Sequence, residues 1–257
     1  QPMTQMDCEQ QGGTYRGGAS CAQGDPCEYQ QIPDGYEIVT ITPPELASFQ
    51  NYTPRINDCG EIVFSTRFQF GNGSEEIFLY DNDLLQQLTN NQISDNFPDI
   101  NNDGTLVWMT AADPTDLNIA LVRADQSSII GSGSRPNINK NGAIVSWYNI
   151  LQFCDEGGNH SIIKLYDGEQ TRVVFDDGGA NQTAVVGEDS SVAWTRYINL
   201  CSAWTSEIMM RTGTSISALP HSLLQVQVRD IRDENQVAWN GHDGTTNYLE
   251  EWNGSTA

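Results

Sequence analysis

Carboxylates dominate the reactive side chains of this chain, and four of them, Asp58, Asp103, Asp189 and Asp233, fall at comparable places in successive stretches of sequence. Paired carboxylates can hydrolyse glycosidic bonds, one as acid and the other as base or nucleophile. Each of these four, however, sits in a turn rich in Gly, Asn or Ser, where Asp is favoured for its hydrogen bonds to the backbone. No Gly-x-Ser-x-Gly, phosphate-binding loop, His-Glu-x-x-His or EF-hand loop occurs, so nucleophilic, phosphoryl-transfer and zinc-peptidase chemistry lack their dedicated residues. Gly131-Ser-Gly-Ser134 reads as a flexible link without a base nearby in sequence. The expectation is a protein that is not an enzyme.

The remaining candidates bind or crosslink. Asp155-Glu156 and Asp176-Asp177 are loop pairs with the oxygen chemistry that Ca²⁺ takes; no other cofactor is expected. Trp204, beside polar residues, is the candidate for stacking on a sugar ring. Sequons begin at Asn51, Asn72, Asn159, Asn181 and Asn253, each expected in a loop or beside a strand end. Six cysteines without C-x-x-C spacing, and three scattered histidines, point to disulfides outside the cytosol and not to zinc. Cys154 follows Trp147 by seven residues and Cys201 follows Trp194 by seven, so they are expected at equivalent loops and form the best pair. Cys8 with Cys21 would staple a Gly-rich loop, and Cys27 with Cys59 would tie the N-terminal arm to the first repeat.

A net charge of −22, with Lys140 and Lys164 the only lysines, repels phosphate backbones and anionic membranes. Nucleic acid is therefore excluded as a partner. No apolar run is long enough to span a membrane as a helix. A secreted or cell-surface protein fits these features.

The elements that would position these residues are set by internal repeats. Pro54-Arg-Ile-Asn-Asp-Cys-Gly60-Glu-Ile-Val-Phe64, Pro98-Asp-Ile-Asn-Asn-Asp-Gly104-Thr-Leu-Val-Trp108 and Pro136-Asn-Ile-Asn-Lys-Asn-Gly142-Ala-Ile-Val-Ser146-Trp147 are three copies. Val186 to Trp194 and Ile231 to Trp239 are degenerate ones, and the turn positions Gly60, Gly104, Gly142, Ser190 and Asn235 recur every 38 to 48 residues. Each copy reads as strand, Asn/Asp/Gly turn, and a Val/Ile/Trp-rich strand. A third strand follows, and in most copies a fourth, Leu84–Leu88, Ser128–Ile130, Thr171–Phe175 and Ser215–Leu219. Phe64, Trp108, Trp194 and Trp239 share one position and are expected in an inter-blade core, with Trp147 displaced by one residue and Trp252 off the repeat.

This pattern, with its Ile-x-Leu-Tyr-Asp third strand and Leu-Thr ending, resembles TolB-like β-propeller repeats over residues 36–252. The resemblance implies an all-β, five-bladed β-propeller of four-stranded antiparallel blades, and no particular activity. Cys8 to Cys27 resembles short Cys/Gly motifs that precede repeat domains in secreted bacterial proteins. The expected layout is an arm over 1–35, a strand over 36–42, and blades over about 51–89, 90–133, 134–177, 178–220 and 221–257. The fifth repeat shows only three strands, while Tyr36-Glu-Ile-Val-Thr-Ile-Thr42 holds the register of a fourth. Tyr36, Ile38, Thr40 and Thr42 would then complete blade five, within the chain or in a neighbouring copy, and cover an otherwise unpaired edge. Two partner classes are expected: the chain itself, as a fibre or surface-layer subunit, or extracellular glycans and proteins. A glycoside hydrolase of the five-bladed type is the catalytic alternative.

Overall fold

The computed structural model describes residues 14–16, 20–22, 39–46, 49–67, 74–112, 116–123, 126–150, 160–198, 205–221, 223, 225–231, 236–243 and 245–253. Among them there are strands and turns and no α-helix, hence no helix able to cross a membrane. A short hairpin joins β1 (Thr14–Arg16) to β2 (Ser20–Ala22). Blade one is β3 (Gln50–Ile56), β4 (Ile62–Arg67), β5 (Glu75–Asp81) and β6 (Leu84–Gln87). Blade two is β7 (Ser94–Ile100), β8 (Leu106–Ala111), β9 (Leu117–Arg123) and β10 (Gln126–Ser132). Blade three is β11 (Ser134–Ile138), β12 (Ile144–Ile150), β13 (His160–Tyr166) and β14 (Thr171–Phe175). Blade four is β15 (Ala180–Val186), β16 (Val192–Ile198), β17 (Thr205–Thr212) and β18 (Ser215–Ala218). Blade five has β19 (Gln225–Ile231), β20 (Val237–His242) and β21 (Asn247–Trp252). Every sheet is an antiparallel meander, and consecutive sheets pack face to face as the five blades of a β-propeller.

The repeat motif explains both the shape of each blade and its attachment to the next. The residue before the motif proline, Thr53, Phe97 or Arg135, has positive φ and lies in a break of the ladder between the first two strands. A proline has no N–H to give, so it is tolerated at this bulge although it lies within a strand. The motif Asn then does two jobs. Asn101 Oδ1 accepts the N–H of Asp103 at 3.0 Å and of Thr105 at 2.9 Å, while its Nδ2 donates to Asn139 O of the next blade at 3.2 Å. Asn139 repeats this, accepting from Asn141 and Ala143 and donating to Gly187 O at 2.7 Å. Asn57 accepts from Glu61 N and donates to Asn101 O at 3.0 Å. One side chain thus closes its own turn and clasps the neighbouring blade. Ser190 takes the left-handed turn conformation (φ 64°) that glycine takes in the first three copies.

Asp99 makes a second tie. Its carboxylate accepts Asn137 Nδ2 at 2.7 Å and Ile138 N–H at 3.0 Å from blade three, and Arg55 of blade one stands 3.7 Å away. Burial raises its pKa above the ordinary Asp value, against the opposing pull of Arg55 and its hydrogen bonds. A raised folded-state pKa means the folded protein holds the proton longer, so stability falls as pH climbs from the unfolded Asp value, about 3.9, through the raised one. We expect Asp99→Asn to remove this decline: urea melts at steps of pH across that window should show a stability difference from the parent that shifts in the variant's favour with rising pH. A difference independent of pH would refute it.

Three residues of the repeat's aromatic position lie in the inter-blade core, as expected; Phe64 does not, and packs instead with Phe78 on the outward face of blade one, because no blade precedes it among the described residues. Trp108 packs in the joint of blades one and two, Trp194 in that of three and four, and Trp239 in that of four and five. Trp108 Nε1 donates to Asp95 and Trp194 Nε1 to Asn181, each residue thirteen positions earlier on the first strand of the same blade. Trp147 shows what a one-residue displacement does in a strand: the side chain changes face. It packs against the cluster around Trp194, and Ser146 takes the aromatic's place in the joint of blades two and three. That joint is close: a Cβ added at Gly133 would stand 2.6 Å from Ser146 Oγ of blade three and 3.0 Å from Ile119 Cγ1 of blade two.

The ends of the array differ from its middle. Blade five carries no fourth strand among the described residues, and no packing like that of the four consecutive joints links blades five and one. Val39–Thr42, the described part of the expected closing strand, lies in no ladder; Tyr36 and Ile38 fall outside the described residues. The chain instead turns at Pro43–Leu46, with Leu46 N–H bonded to Pro43 O at 2.9 Å. Ile41, Leu46 and Phe49 cover Phe64 and Phe78 on the outward face of blade one. Two consecutive prolines just after the expected strand stop it from extending toward β3, and the apolar side chains that follow find cover on blade one.

Candidate functional site

A cleft of about 370 Å³ lies beside β21, lined by Pro220, His221, Trp239, Glu250, Glu251 and Trp252. Its origin is visible in blade one. There Phe64 pairs with Phe78 across the ladder, and Leu85 of the fourth strand packs on both. In blade five Trp239 pairs with Glu250, and no described strand supplies a counterpart of Leu85. The cleft is therefore the socket beside a fourth-strand position that no described residue fills. Pro220 and His221 enter it from the link between blades four and five, with His221 Nδ1 3.1 Å from Leu223 O. Trp239 is buried and donates Nε1–H to Glu250 Oε2 at 2.9 Å, while Trp252 is half-buried against the same core.

Two kinds of ligand suit this arrangement. An extended strand could pair its backbone with the outer edge of β21 and place one apolar side chain on the indoles. A sugar could stack on Trp252 with Glu250 or Glu251 near its hydroxyls. Glu250 and Glu251 are consecutive on a strand and so point to opposite faces. They do not confront each other across one bond as glycosidase carboxylates do.

The other expected site residues are dispersed. Asn181 is 0% exposed within β15, where its Nδ2 donates to Ser161 O at 3.0 Å and Asp177 Oδ1 at 2.9 Å. Its sequon was expected in a loop or beside a strand end, and it is the second residue of its strand; its side chain is buried with both amide atoms hydrogen-bonded. Asn51 also lies inside a strand, β3, but is exposed; Asn253 is exposed just after β21; Asn72 and Asn159 lie outside the described residues. Both Asn51 and Asn181 thus stand beside a strand end, as expected, but Asn-x-Thr carries no signal of which face a strand residue takes, so the burial of Asn181 was not foreseen.

Asp176 and Asp177 are already engaged by protein donors. Asp176 bonds His160 Nε2 at 2.7 Å and the Gly178 N–H, and these hold its pKa below the ordinary value. Asp177 accepts from Asn181 and Gly179 and pairs with Arg196 at 2.6 Å; these donors outweigh its burial and lower its pKa too. Among the described residues no three potential metal ligands cluster. Asp155, Glu156 and Trp204 lie outside the described residues. Asp58 accepts Asn102 Nδ2 from the next blade at 2.7 Å, and Asp189 caps its own turn at Ser191 N–H; Asp233 is outside the described residues. Cys59 is held in a disulfide. The side chains of Cys8, Cys21, Cys27, Cys154 and Cys201 lie outside the described residues, and so do the pairings expected among them.

No protein-family model matches the chain, and no curated protein matches it. Solved structures do. A putative TolB from Agrobacterium tumefaciens aligns over 81% of this chain and 79% of its own, at 10% identity and a TM-score of 0.56. An acylaminoacyl peptidase from Pyrococcus horikoshii aligns over 82% of this chain and 39% of its own, at 12% identity and a TM-score of 0.58. TolB from Acinetobacter baumannii aligns over 79% of this chain, at 17% identity and a TM-score of 0.49, and the chain spans about half (54%) of its length. Proteins with different printed roles share this architecture, so the likeness carries fold and not chemistry. The chain is a five-bladed β-propeller, with TolB-like β-propeller proteins among its structural neighbours.

Proposed function

We propose that this protein is an extracellular, non-catalytic structural or interaction propeller that assembles with copies of itself. The strand Tyr36–Thr42 of one copy would fill the fourth-strand position of blade five in the next. The observation that supports this reading most is the edge of β21: among the described residues four blades have a strand beside their third, and blade five has the Trp239–Trp252 cleft there. Val39–Thr42 is not paired in its own sheets, which leaves it available. Strand addition supplies affinity through backbone hydrogen bonds and selectivity through side-chain sockets. The disulfide at Cys59 and the charge of −22 support a secreted setting.

The test is sedimentation or light scattering of the purified chain before and after deletion of residues 1–42. Assembly that disappears on deletion is the expected result. A strict monomer, unchanged by the deletion, would end this reading.

The cleft also favours a second reading, a carbohydrate-binding propeller, with Trp252 as the stacking ring in place of the Trp204 expected from sequence. A glycan array with no signal, or a signal unaltered by Trp252→Ala, would dispose of it.

A further inference from the structure

Equivalent positions in the five blades can be compared one by one through their ladders, and two of them stand out at the two ends of the array. On the third strand, Ile77, Ile119, Ile163 and Ile208 pair with Ser65, Met109, Trp147 and Thr195, and all four isoleucines are buried. The fifth member of this series is Leu249, opposite Asn240, and it is 78% exposed. On the first strand, Ile100, Ile138, Val186 and Ile231 are buried in the joint with the preceding blade. The first member of that series, Ile56, is 66% exposed.

Polar positions follow the same rule. Asp99 accepts its own Ile100 N–H at 3.1 Å and reaches forward to Ile138 N–H of the next blade at 3.0 Å. Asp230 accepts its own Ile231 N–H at 2.9 Å in the same way, and the residue corresponding to Ile138 would be Ile56. Asp95, Gly133, Asn181 and Val226, thirteen residues before the repeat aromatic position, are buried; Asn51, their counterpart on blade one, is exposed. Blade five thus ends in the forward half of an inter-blade joint, and blade one begins with the rear half.

We propose that these two faces are the halves of a fifth joint, made head to tail between two copies of the chain. Leu249, Ala238 and Asp230 of one copy receive Ile56 and Asn51 of the next. The inference deepens the assembly proposed above and rests on it for the choice of a second copy. Residues 36–42 run within a few residues into Leu46 and Phe49, which already lie on the outward face of blade one. A copy that donates this strand to β21 therefore brings its own blade one onto the face carrying Leu249. The same relation holds inside the chain, where Leu219 after β18 and Leu223 before β19 share one core with blades four and five. A contact of this kind is heterologous, so its repetition gives a ring or an open fibre.

The test uses two full-length variants, Ile56→Lys and Leu249→Lys, each at an exposed position, with circular dichroism and melting temperature as fold controls. Each variant alone spoils every joint, and an ammonium buried there without a partner should raise the concentration needed for assembly by at least ~100-fold. An equal mixture of the two restores one sound joint, between Leu249 of the Ile56→Lys copy and Ile56 of the Leu249→Lys copy. The expected results by native mass spectrometry are oligomers for the parent, monomers for each variant alone, and heterodimers for the mixture. A monomeric parent, variants that assemble like the parent, or a mixture that stays monomeric overturns the proposal. The 1–42 deletion separates the two ideas. If it abolishes assembly while both lysine variants assemble, strand donation stands and the face contact falls. If the deleted chain still assembles and both lysine variants do not, the face contact stands and strand donation falls.

Discussion

Trp194→Ala is expected to lower the free energy of unfolding by about 3–5 kcal/mol, the range for removing a large buried aromatic. Trp194 is wholly buried in the joint of blades three and four, with its ring 4.8 Å from that of Phe175 on the preceding blade. Its Nε1 donates to Asn181 Oδ1 at 3.1 Å, so truncation also strips a partner from a buried amide oxygen. Stabilities of single domains run to about 5–15 kcal/mol, so this one change could consume a third or more of the total. The melting temperature should fall on the order of 10 °C. Trp147→Ala is the internal comparison. Its ring is half-buried at the edge of the same cluster and its buried Nε1 has no hydrogen-bond partner, so its loss should cost clearly less. Equal effects in guanidinium titrations would contradict the assignment of Trp194 to the centre of the joint.

The repeat was legible because each of its features answers a local physical demand. Gly at the turn supplies positive φ, Val and Ile fill a strand buried on both faces, and the aromatic fills the joint. These features set strand positions closely: Thr171–Phe175 and Asn247–Trp252 form strands with the bounds expected from sequence. The clasp by Asn57, Asn101 and Asn139 was not legible, because its acceptor lies in the next repeat, 38 to 48 residues away. Nor was the reason the fourth copy departs from the motif. Gly187 stands at the clasp position, and a Cβ there would meet Ser191 Oγ at 3.0 Å and Asp189 Oδ1 at 3.1 Å. Asp189 closes that turn in place of the missing Asn. The closing strand was read from spacing alone, and spacing reports order along the chain, not which sheet edge a segment meets. The burial of Asn181 was hidden for a related reason: a three-residue motif says nothing of it. The cleft could have been anticipated, since a repeat lacking its fourth strand must leave a socket beside its third.

Asn139→Ala should be strongly damaging, because three hydrogen bonds vanish together in a buried site. The side chain donates to Gly187 O at 2.7 Å and accepts from Asn141 N–H at 3.0 Å and Ala143 N–H at 2.8 Å. At about 1 kcal/mol for each bond the loss is about 3 kcal/mol, before any penalty for buried groups left bare. Asn139→Asp dissects the two roles. A carboxylate still accepts from both turn amides, yet it cannot donate across the joint and sets a negative charge against the Gly187 carbonyl. It should therefore keep the turn and lose the clasp. Hydrogen exchange resolves the difference: with Asp, the Ala143 amide should stay protected while amides of blade four exchange faster; with Ala, both should exchange faster. If the Asp variant is as stable as the parent, the bond to Gly187 contributes nothing, and the blades are held by their apolar faces alone.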